Sequence, residues 1–457
     1  MKAALHNLGC KTNSYETEAM EQSLKKAGYE IVGFSDDEKA DIYIINTCSV
    51  TNVADRKSRQ MIHKARSFNP AAVVVAVGCF VQTSAEEDLK KEGIDICLGS
   101  NDKSRLIESI EGYLKDRKQR IKVSDISKSR DIDILSVSEK PRHTRAFIKI
   151  EDGCDQFCSF CIIPYARGRV RSRALEDIVS EAAWLSRQGV KEIVLTGINM
   201  SAYGSDLYPA KDLGDLLLVL QETDGIERIR VSSLEPRIVT RDFLEKIKSV
   251  SKLCPHFHLS LQSGSDSVLS RMNRHYTCVE YLGKCDLLRE YYHKPSITTD
   301  IITGFPGETD EEFKETLSFV DRVDFFDIHV FAFSPRRGTP AASMPCQIQG
   351  KIKRLRSALL IQKAAGLKQR NIYDLADDAL DAGESVLIEE KVSMDLTDHG
   401  LSETNFYVGH TTRYVKILIP ETIDVSEGEI VDVTPVSVVT LSDGEPAIIC
   451  SVKKTQD

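Results

Sequence analysis

Three cysteines, Cys154, Cys158 and Cys161, stand in the run Glu151-Asp152-Gly153-Cys154-Asp155-Gln156-Phe157-Cys158-Ser159-Phe160-Cys161-Ile162-Ile163-Pro164. The CxxxCxxC spacing lets three thiolates converge on one inorganic centre. A closed structural zinc site takes four ligands. A [4Fe–4S] cube held by three cysteines leaves one iron open to a substrate or cofactor. The spacing therefore points to chemistry at an open iron rather than to a scaffold.

A second set is less obvious because its members are far apart in the chain. Cys10 ends a predicted strand through Leu8-Gly9, Cys48 one through Ile44-Ile45-Asn46-Thr47, and Cys79 one through Val75-Ala76-Val77-Gly78. In a parallel α/β sheet the strand C-termini gather along one edge, where ligands bind. Gly9 and Gly78 allow close backbone approach at two of the three. The plain alternative is three buried free thiols, since cysteine is often fully buried. The functional reading is a second three-thiolate cluster with its own open iron. Cys97, Cys254, Cys278, Cys285, Cys346 and Cys450 show no ligand spacing and read as free thiols.

The elements that must position these thiols follow from periodicity. Residues 1–115 predict strands over 3–8, 41–46, 72–77 and 94–98, and helices over 14–27, 55–67 and 103–114. Such alternation implies a parallel sheet with crossover helices. Residues 116–143 are polar and charge-rich and read as a connector. From residue 144 to about 375 six further strand–helix units follow, fewer than the eight of a closed barrel, which fits a partial (β/α)6 barrel. Residues 350 to about 375 predict a long basic helix. Residues 378–450 are β-rich with turn signals between, as in a small antiparallel barrel. The expected class is α/β with three domains, in line with a length of 457 residues.

Hydrophobic content of 41% and charged content of 28% are ordinary for a globular chain. No apolar run reaches membrane-helix length. The first ten residues lack a signal core and cleavage site. A cytoplasmic protein is expected, in which twelve cysteines are metal ligands or free thiols before disulfides. The net charge of −9 argues against a general nucleic-acid coat. Local basic runs remain: Arg167, Arg169, Arg171 and Arg173; Arg56, Lys57, Arg59, Lys64 and Arg66; and Lys351, Lys353, Arg354, Arg356, Lys363, Lys368 and Arg370. Each is either a solvated face or part of an RNA grip.

With both cysteine sets in view, the chain resembles the radical S-adenosylmethionine (SAM) methylthiotransferases over nearly its whole length. Ile162-Ile163-Pro164 and Arg167-Gly168-Arg169-Val170-Arg171-Ser172-Arg173 after the CxxxCxxC run carry the resemblance. Asn7-Leu8-Gly9-Cys10-Lys11-Thr12-Asn13-Ser14-Tyr15-Glu16-Thr17-Glu18 is most similar to the subfamily acting on N6-threonylcarbamoyladenosine in tRNA.

The resemblance implies an N-terminal auxiliary-cluster domain, a radical SAM core and a C-terminal TRAM-type barrel. It implies two [4Fe–4S] clusters, one on Cys154, Cys158 and Cys161 and one on Cys10, Cys48 and Cys79, with SAM as cofactor. One SAM methylates a sulfur at the auxiliary cluster. Another yields the radical that takes hydrogen from C2 of the modified adenine beside the anticodon. Phe160 is expected near the SAM adenine. Gly197, Asn199, Ser232, Glu235, Gln262, Ser263 and Asp300, all at strand ends, are expected SAM contacts, although each can instead cap a helix or turn. Expected partners are the tRNA anticodon stem-loop and a reductant such as flavodoxin or ferredoxin, with no membrane and a monomeric chain. Two relatives of this activity remain as alternatives: the same chemistry on N6-isopentenyladenosine, or on an aspartate of a ribosomal protein.

Overall fold

The computed structural model describes residues 1–133, 135, 139, 144–382, 384–396 and 404–453. Residues 134, 136–138 and 140–143 of the expected connector, and 397–403 of the expected C-terminal barrel, lie outside the described residues.

The N-terminal unit is a six-stranded parallel sheet of β1 (Lys2–Asn7), β2 (Glu30–Val32), β3 (Ile42–Thr47), β4 (Val73–Gly78), β5 (Ile96–Leu98) and β6 (Arg120–Lys122), in the order β2-β1-β3-β4-β5-β6. β3 and β4 are rich in Ile and Val and buried along their whole length, as expected of strands covered by helices on both faces. One covering helix, α1 (Lys11–Lys26), buries Tyr15, Ala19, Met20 and Leu24 on one stripe. β6 arises inside the segment read as a connector. Its single apolar residue, Ile121, gives little strand signal, and as an edge strand it is anchored by ion pairs from Arg120 to Asp116 and from Lys122 to Glu108.

The central unit begins with β7 (Arg145–Lys149) and a small antiparallel ribbon, β8 (Glu151–Asp152) with β9 (Arg171–Ser172), which brackets the cysteine loop. It continues through β10 (Glu192–Thr196), β11 (Arg228–Val231), β12 (Ser233–Leu234), β13 (His256–Leu259), β14 (Ser296–Thr303) and β15 (Asp327–Ala332). β7, β10 and β11 form one parallel sheet and β12 to β15 another. The break between them falls at Ser232, so the curved wall is an open barrel of six successive strand–helix units. Its apolar core lies between the strands and the outer helices.

The C-terminal unit is a closed barrel of β16 (Glu384–Ser393), β17 (Asn405–Thr411), β18 (Lys416–Pro420), β19 (Ile430–Thr440) and β20 (Pro446–Val452). The helix Gly350–Ala382 joins it to the core. Leu360, Ala364 and Leu367 pack into the core's apolar cluster, and Ile372, Leu375 and Ala376 into the barrel's.

The basic runs have a different fate from the one their sequence suggests. Arg167, Arg171 and Arg173 are all buried, leaving Arg169 as the exposed member. On the long helix, Arg356 pairs with Glu308 and Asp310, Lys363 with Asp321, Lys368 with Asp327 and Glu445, and Arg370 with Asp324. Lys353 donates to the carbonyl of Phe333. The helix is therefore a strut tied to acids distant in sequence. Lys351 and Arg354 at its start have no ion-pair partner among the described residues.

The N-terminal unit is clasped to the core by a buried ion cluster. Glu16 of α1 meets Arg167 at 2.9 Å, Lys149 at 2.8 Å and Lys103 at 3.1 Å. Asp152 meets the same Lys149 at 2.6 Å and Arg167 at 3.0 Å. Burial opposes ionisation of Glu16 and Asp152, but Arg167, Lys149 and, at Glu16, Lys103 outweigh it and hold both carboxyls below their usual range. Glu16→Ala leaves three buried cations short of a partner. The expected cost is about 3–5 kcal/mol, read as a lower urea midpoint. Because both carboxyls are depressed in the fold, their contribution is full well above their ordinary values of 4.5 and 3.8 and is lost as pH falls below them. The midpoint of the unaltered protein is thus expected to drop on acidification, and that of Glu16→Ala to drop less.

Candidate active site

Cys10, Cys48 and Cys79 follow β1, β3 and β4, which are neighbours in the sheet. Their thiols gather at one edge. Gly9 has φ +109°, and a Cβ there would lie 3.0 Å from the Cys48 Sγ. Gly78 has φ +94°, and a Cβ there would lie 2.9 Å from Asn46 Oδ1. Both positions accept glycine alone without displacement. Asn13 ties this edge to the core. It donates to the carbonyls of Leu8 at 2.6 Å and Thr47 at 3.1 Å, and accepts from Arg167 at 2.5 Å. A second clasp lies just past Cys48, where Arg336 donates to Ser49 and Asn52 and pairs with Asp55.

The Cys154 loop is equally fixed. The Cys154 amide donates to the Gly168 carbonyl at 3.0 Å, Ser159 bonds the backbone of Arg271 and Met272, and Ala341 donates back to Ser159. Arg274 donates to the Cys158 Sγ at 3.3 Å. Burial pushes the Cys161 thiol up to about 12 and those of Cys154 and Cys48 up to about 11. Such thiols become thiolates at neutral pH when a metal centre takes their protons' place.

The donor sets fit a cluster better than a lone ion. Thiolates around one zinc ion stand about 3.8 Å apart, from a Zn–S bond of about 2.3 Å. Among the described residues, the group of three metal-type ligand atoms lying within 4.8 Å of one another is His258, Asp300 and His329, and neither cysteine set closes so far. Three sulfurs more widely spaced suit a cube, whose corners are separate irons.

Two cavities meet these sets. One of about 220 Å3 is lined by Phe160, Cys161, Gln262, Asp300, Ile302 and Phe333. The other, of about 690 Å3, is lined by Cys10, Lys11, Gly197, Ser232, His256, His258, Asp300 and His329, and on its far side by His410, Tyr414 and Lys416 of the C-terminal barrel. Asp300 and Phe331 belong to both. Asp300 lies 3.1 Å from His258 and 3.3 Å from His329. Burial opposes its charge, yet the two imidazoles outweigh it and keep Asp300 well below the carboxylate range. Burial, Arg230 and Arg145 push the Lys11 ammonium down to about 8.

The strand-end candidates therefore divide. Phe160 and Gln262 face the smaller cavity, Gly197 and Ser232 the larger, and Asp300 both. Gln262 has φ +76°, held by backbone bonds to Asp300 and Ile302 of β14. Three candidates line neither cavity. Ser263 is buried, with its Oγ accepting from the Ser265 amide and beside Thr316. Glu235 pairs with Arg237 at 2.9 Å. Asn199 donates its amide to Glu151, whose carboxyl burial and the neighbouring Asp152 push up to about 8. The structure adds His256, His258 and His329. Their alternate positions on β13 and their single position on β15 were the available signal.

The C-terminal barrel closes the larger cavity through fixed contacts. Arg228 donates to the His410 carbonyl and Ser385, Arg230 to the carbonyls of Thr411 and Thr412, and Arg145 pairs with Glu389. Tyr414 stacks between His410 and His256, with ring centroids 4.6 and 5.2 Å away.

Comparison with known proteins agrees with this architecture. Residues 148–320 match the radical SAM superfamily, and residues 2–99 match the uncharacterized protein family UPF0004. The chain is 40% identical over 433 residues to the threonylcarbamoyladenosine tRNA methylthiotransferase MtaB of Bacillus subtilis (strain 168), covering 94% of this chain and 92% of that protein. It is 36% identical to the tRNA-2-methylthio-N(6)-dimethylallyladenosine synthase of Clostridium tetani (strain Massachusetts / E88), covering 84% and 86%. Among solved structures, the radical SAM methyltransferase TsrM of Kitasatospora setae superposes with a TM-score of 0.58 at 14% identity, over 75% of this chain and 76% of that one, a likeness of fold. The chain belongs to the radical SAM methylthiotransferase family.

Proposed function

We propose that the protein inserts a methylthio group at C2 of N6-threonylcarbamoyladenosine, next to the anticodon of tRNA. The observation that carries this reading is that Cys161 of one three-cysteine set and Cys10 of the other line cavities that share Asp300 and Phe331. Cys154, Cys158 and Cys161 hold one [4Fe–4S] cluster, and Cys10, Cys48 and Cys79 the other. Bound there, the clusters supply reductive SAM cleavage at the first and the transferred sulfur at the second. An aryl C–H has no useful acidity, which is why a radical route is required. Relatives named for threonylcarbamoyladenosine, at about 40% identity, support the substrate.

The chain's own residues bind and orient. Arg274 directs an N–H at the Cys158 sulfur and so fixes its direction. Phe160 and Gln262 wall the smaller cavity beside Cys161, where they meet one part of SAM. Ser232 and Gly197 wall the larger, which admits the target base once it has left the anticodon-loop stack. His410, Tyr414 and Lys416 exclude water from its far side. We place the protein in the cytoplasm as a monomer, reduced by flavodoxin or ferredoxin. No helix among the described residues is long and apolar enough to cross a membrane, and all twelve cysteines are free.

Mass spectrometry of tRNA nucleosides from a deletion strain is expected to show loss of 2-methylthio-N6-threonylcarbamoyladenosine with the unmethylthiolated precursor retained. Loss of the dimethylallyl product instead would assign the chain to the second substrate. Reconstituted anaerobically, the protein is expected to bind about eight irons, and a value near four would remove one cluster. Cys158→Ala is expected to abolish 5′-deoxyadenosine formation. Cys10→Ala is expected to form 5′-deoxyadenosine without methylthiolating RNA, and equal loss in both would refute the division of labour.

A further inference from the structure

Two lysines of the larger cavity are not engaged by the acids of its own walls. Its acids are already matched: Asp300 by His258 and His329, and Asp327 and Glu445 by Lys368. Arg230 and Arg145, the cations acting on Lys11, pair with Glu192 and Glu389. Lys11 and Lys416 line the same cavity, and neither ammonium has an ion-pair or hydrogen-bond partner among the described residues. The two come from different units, Lys11 from the first turn of α1 beside Cys10 and Lys416 from β18.

An independent feature of the same wall also calls for a polar ligand. Ser232 and His256 are 7% and 9% exposed, and Ser232 Oγ and His256 Nδ1 have no hydrogen-bond partner among the described residues. Both residues line the cavity. A buried polar atom without a partner costs about 1–3 kcal/mol, a cost that a ligand offering matching groups relieves. A hydrocarbon substituent would leave all four residues unsatisfied.

We propose that this wall is a carboxylate subsite. Lys11 and Lys416 take the carboxylate of the threonyl substituent, and Ser232 and His256 bond its remaining polar groups. The inference rests on the substrate reading above and extends it, naming what separates a threonylcarbamoyl adenine from a dimethylallyl one. A purine with such a substituent fits within about 690 Å3, a volume in the usual range for a small-molecule site. A site built to bond polar groups rejects an analogue lacking them more sharply than an apolar pocket rejects an added hydroxyl.

The test uses the full reconstituted chain and anticodon stem-loop RNAs that differ only at the target adenine. One carries the threonylcarbamoyl group, one its threoninamide analogue with a neutral carboxamide in place of the carboxylate, and one the dimethylallyl group. Fluorescence anisotropy gives affinities, and mass spectrometry gives methylthiolation. The acid is expected to bind about 10- to 100-fold tighter than the amide. Lys11→Met and Lys416→Met are each expected to narrow that ratio, and Lys11→Arg to keep most of it. Equal binding of acid and amide by the unaltered protein overturns the subsite, as does an unchanged ratio in both methionine variants. Comparable turnover of acid and amide overturns the subsite while sparing the substrate reading. Turnover of the dimethylallyl RNA alone overturns the substrate reading itself.

Discussion

The arrangement depends on one buried electrostatic contact, the sharing of Glu16 and Asp152 by Arg167 and Lys149. Glu16 sits in the first turns of α1, close behind Cys10. Asp152 sits two residues before Cys154. The clasp thus fixes the start of one cysteine set against the start of the other, and Arg167 extends the link through Asn13 to the backbone before Cys10 and Cys48. Buried ion pairs are weak evidence for net stability, because desolvation offsets much of their attraction. Their value here is geometric. An apolar contact would hold the two units together but would tolerate sliding, whereas a bidentate guanidinium fixes direction as well as distance.

Both cysteine sets were legible in the sequence because their signals are local. CxxxCxxC is a spacing, and a cysteine soon after a short apolar run marks a strand end. The α/β order and the terminal barrel were legible for the same reason. The fate of Arg167 was not, because one of the two acids that neutralise it lies far away: Glu16 is 151 residues from Arg167. A basic run can be read as a nucleic-acid face only if no distant acid meets it, and linear sequence holds no record of that. The long helix shows the same effect, since its cations face Glu308, Asp321, Asp324 and Asp327 across the fold.

The strand-end candidates divided for a related reason. A polar residue after a strand either faces the cavity or satisfies the turn that follows, and its type fits both. Ser232 and Ser263 occupy comparable positions. Ser232 falls where the wall breaks between two sheets and its Oγ is left without a partner among the described residues, while Ser263 finds Ser265 and Thr316. Three-dimensional placement, not residue chemistry, separates them.

The helix Gly350–Ala382 bears on how a large substrate arrives. Its apolar side belongs to the core at one end and to the C-terminal barrel at the other, and three core arginines grip the barrel's strands directly. A module so anchored cannot swing out on a tether to capture RNA and deliver it. The mouth of the cavity is a rigid template, and the adaptation needed for entry falls on the nucleic acid. The anticodon loop must reshape itself to the protein, so loops that unstack cheaply are favoured before any base is read.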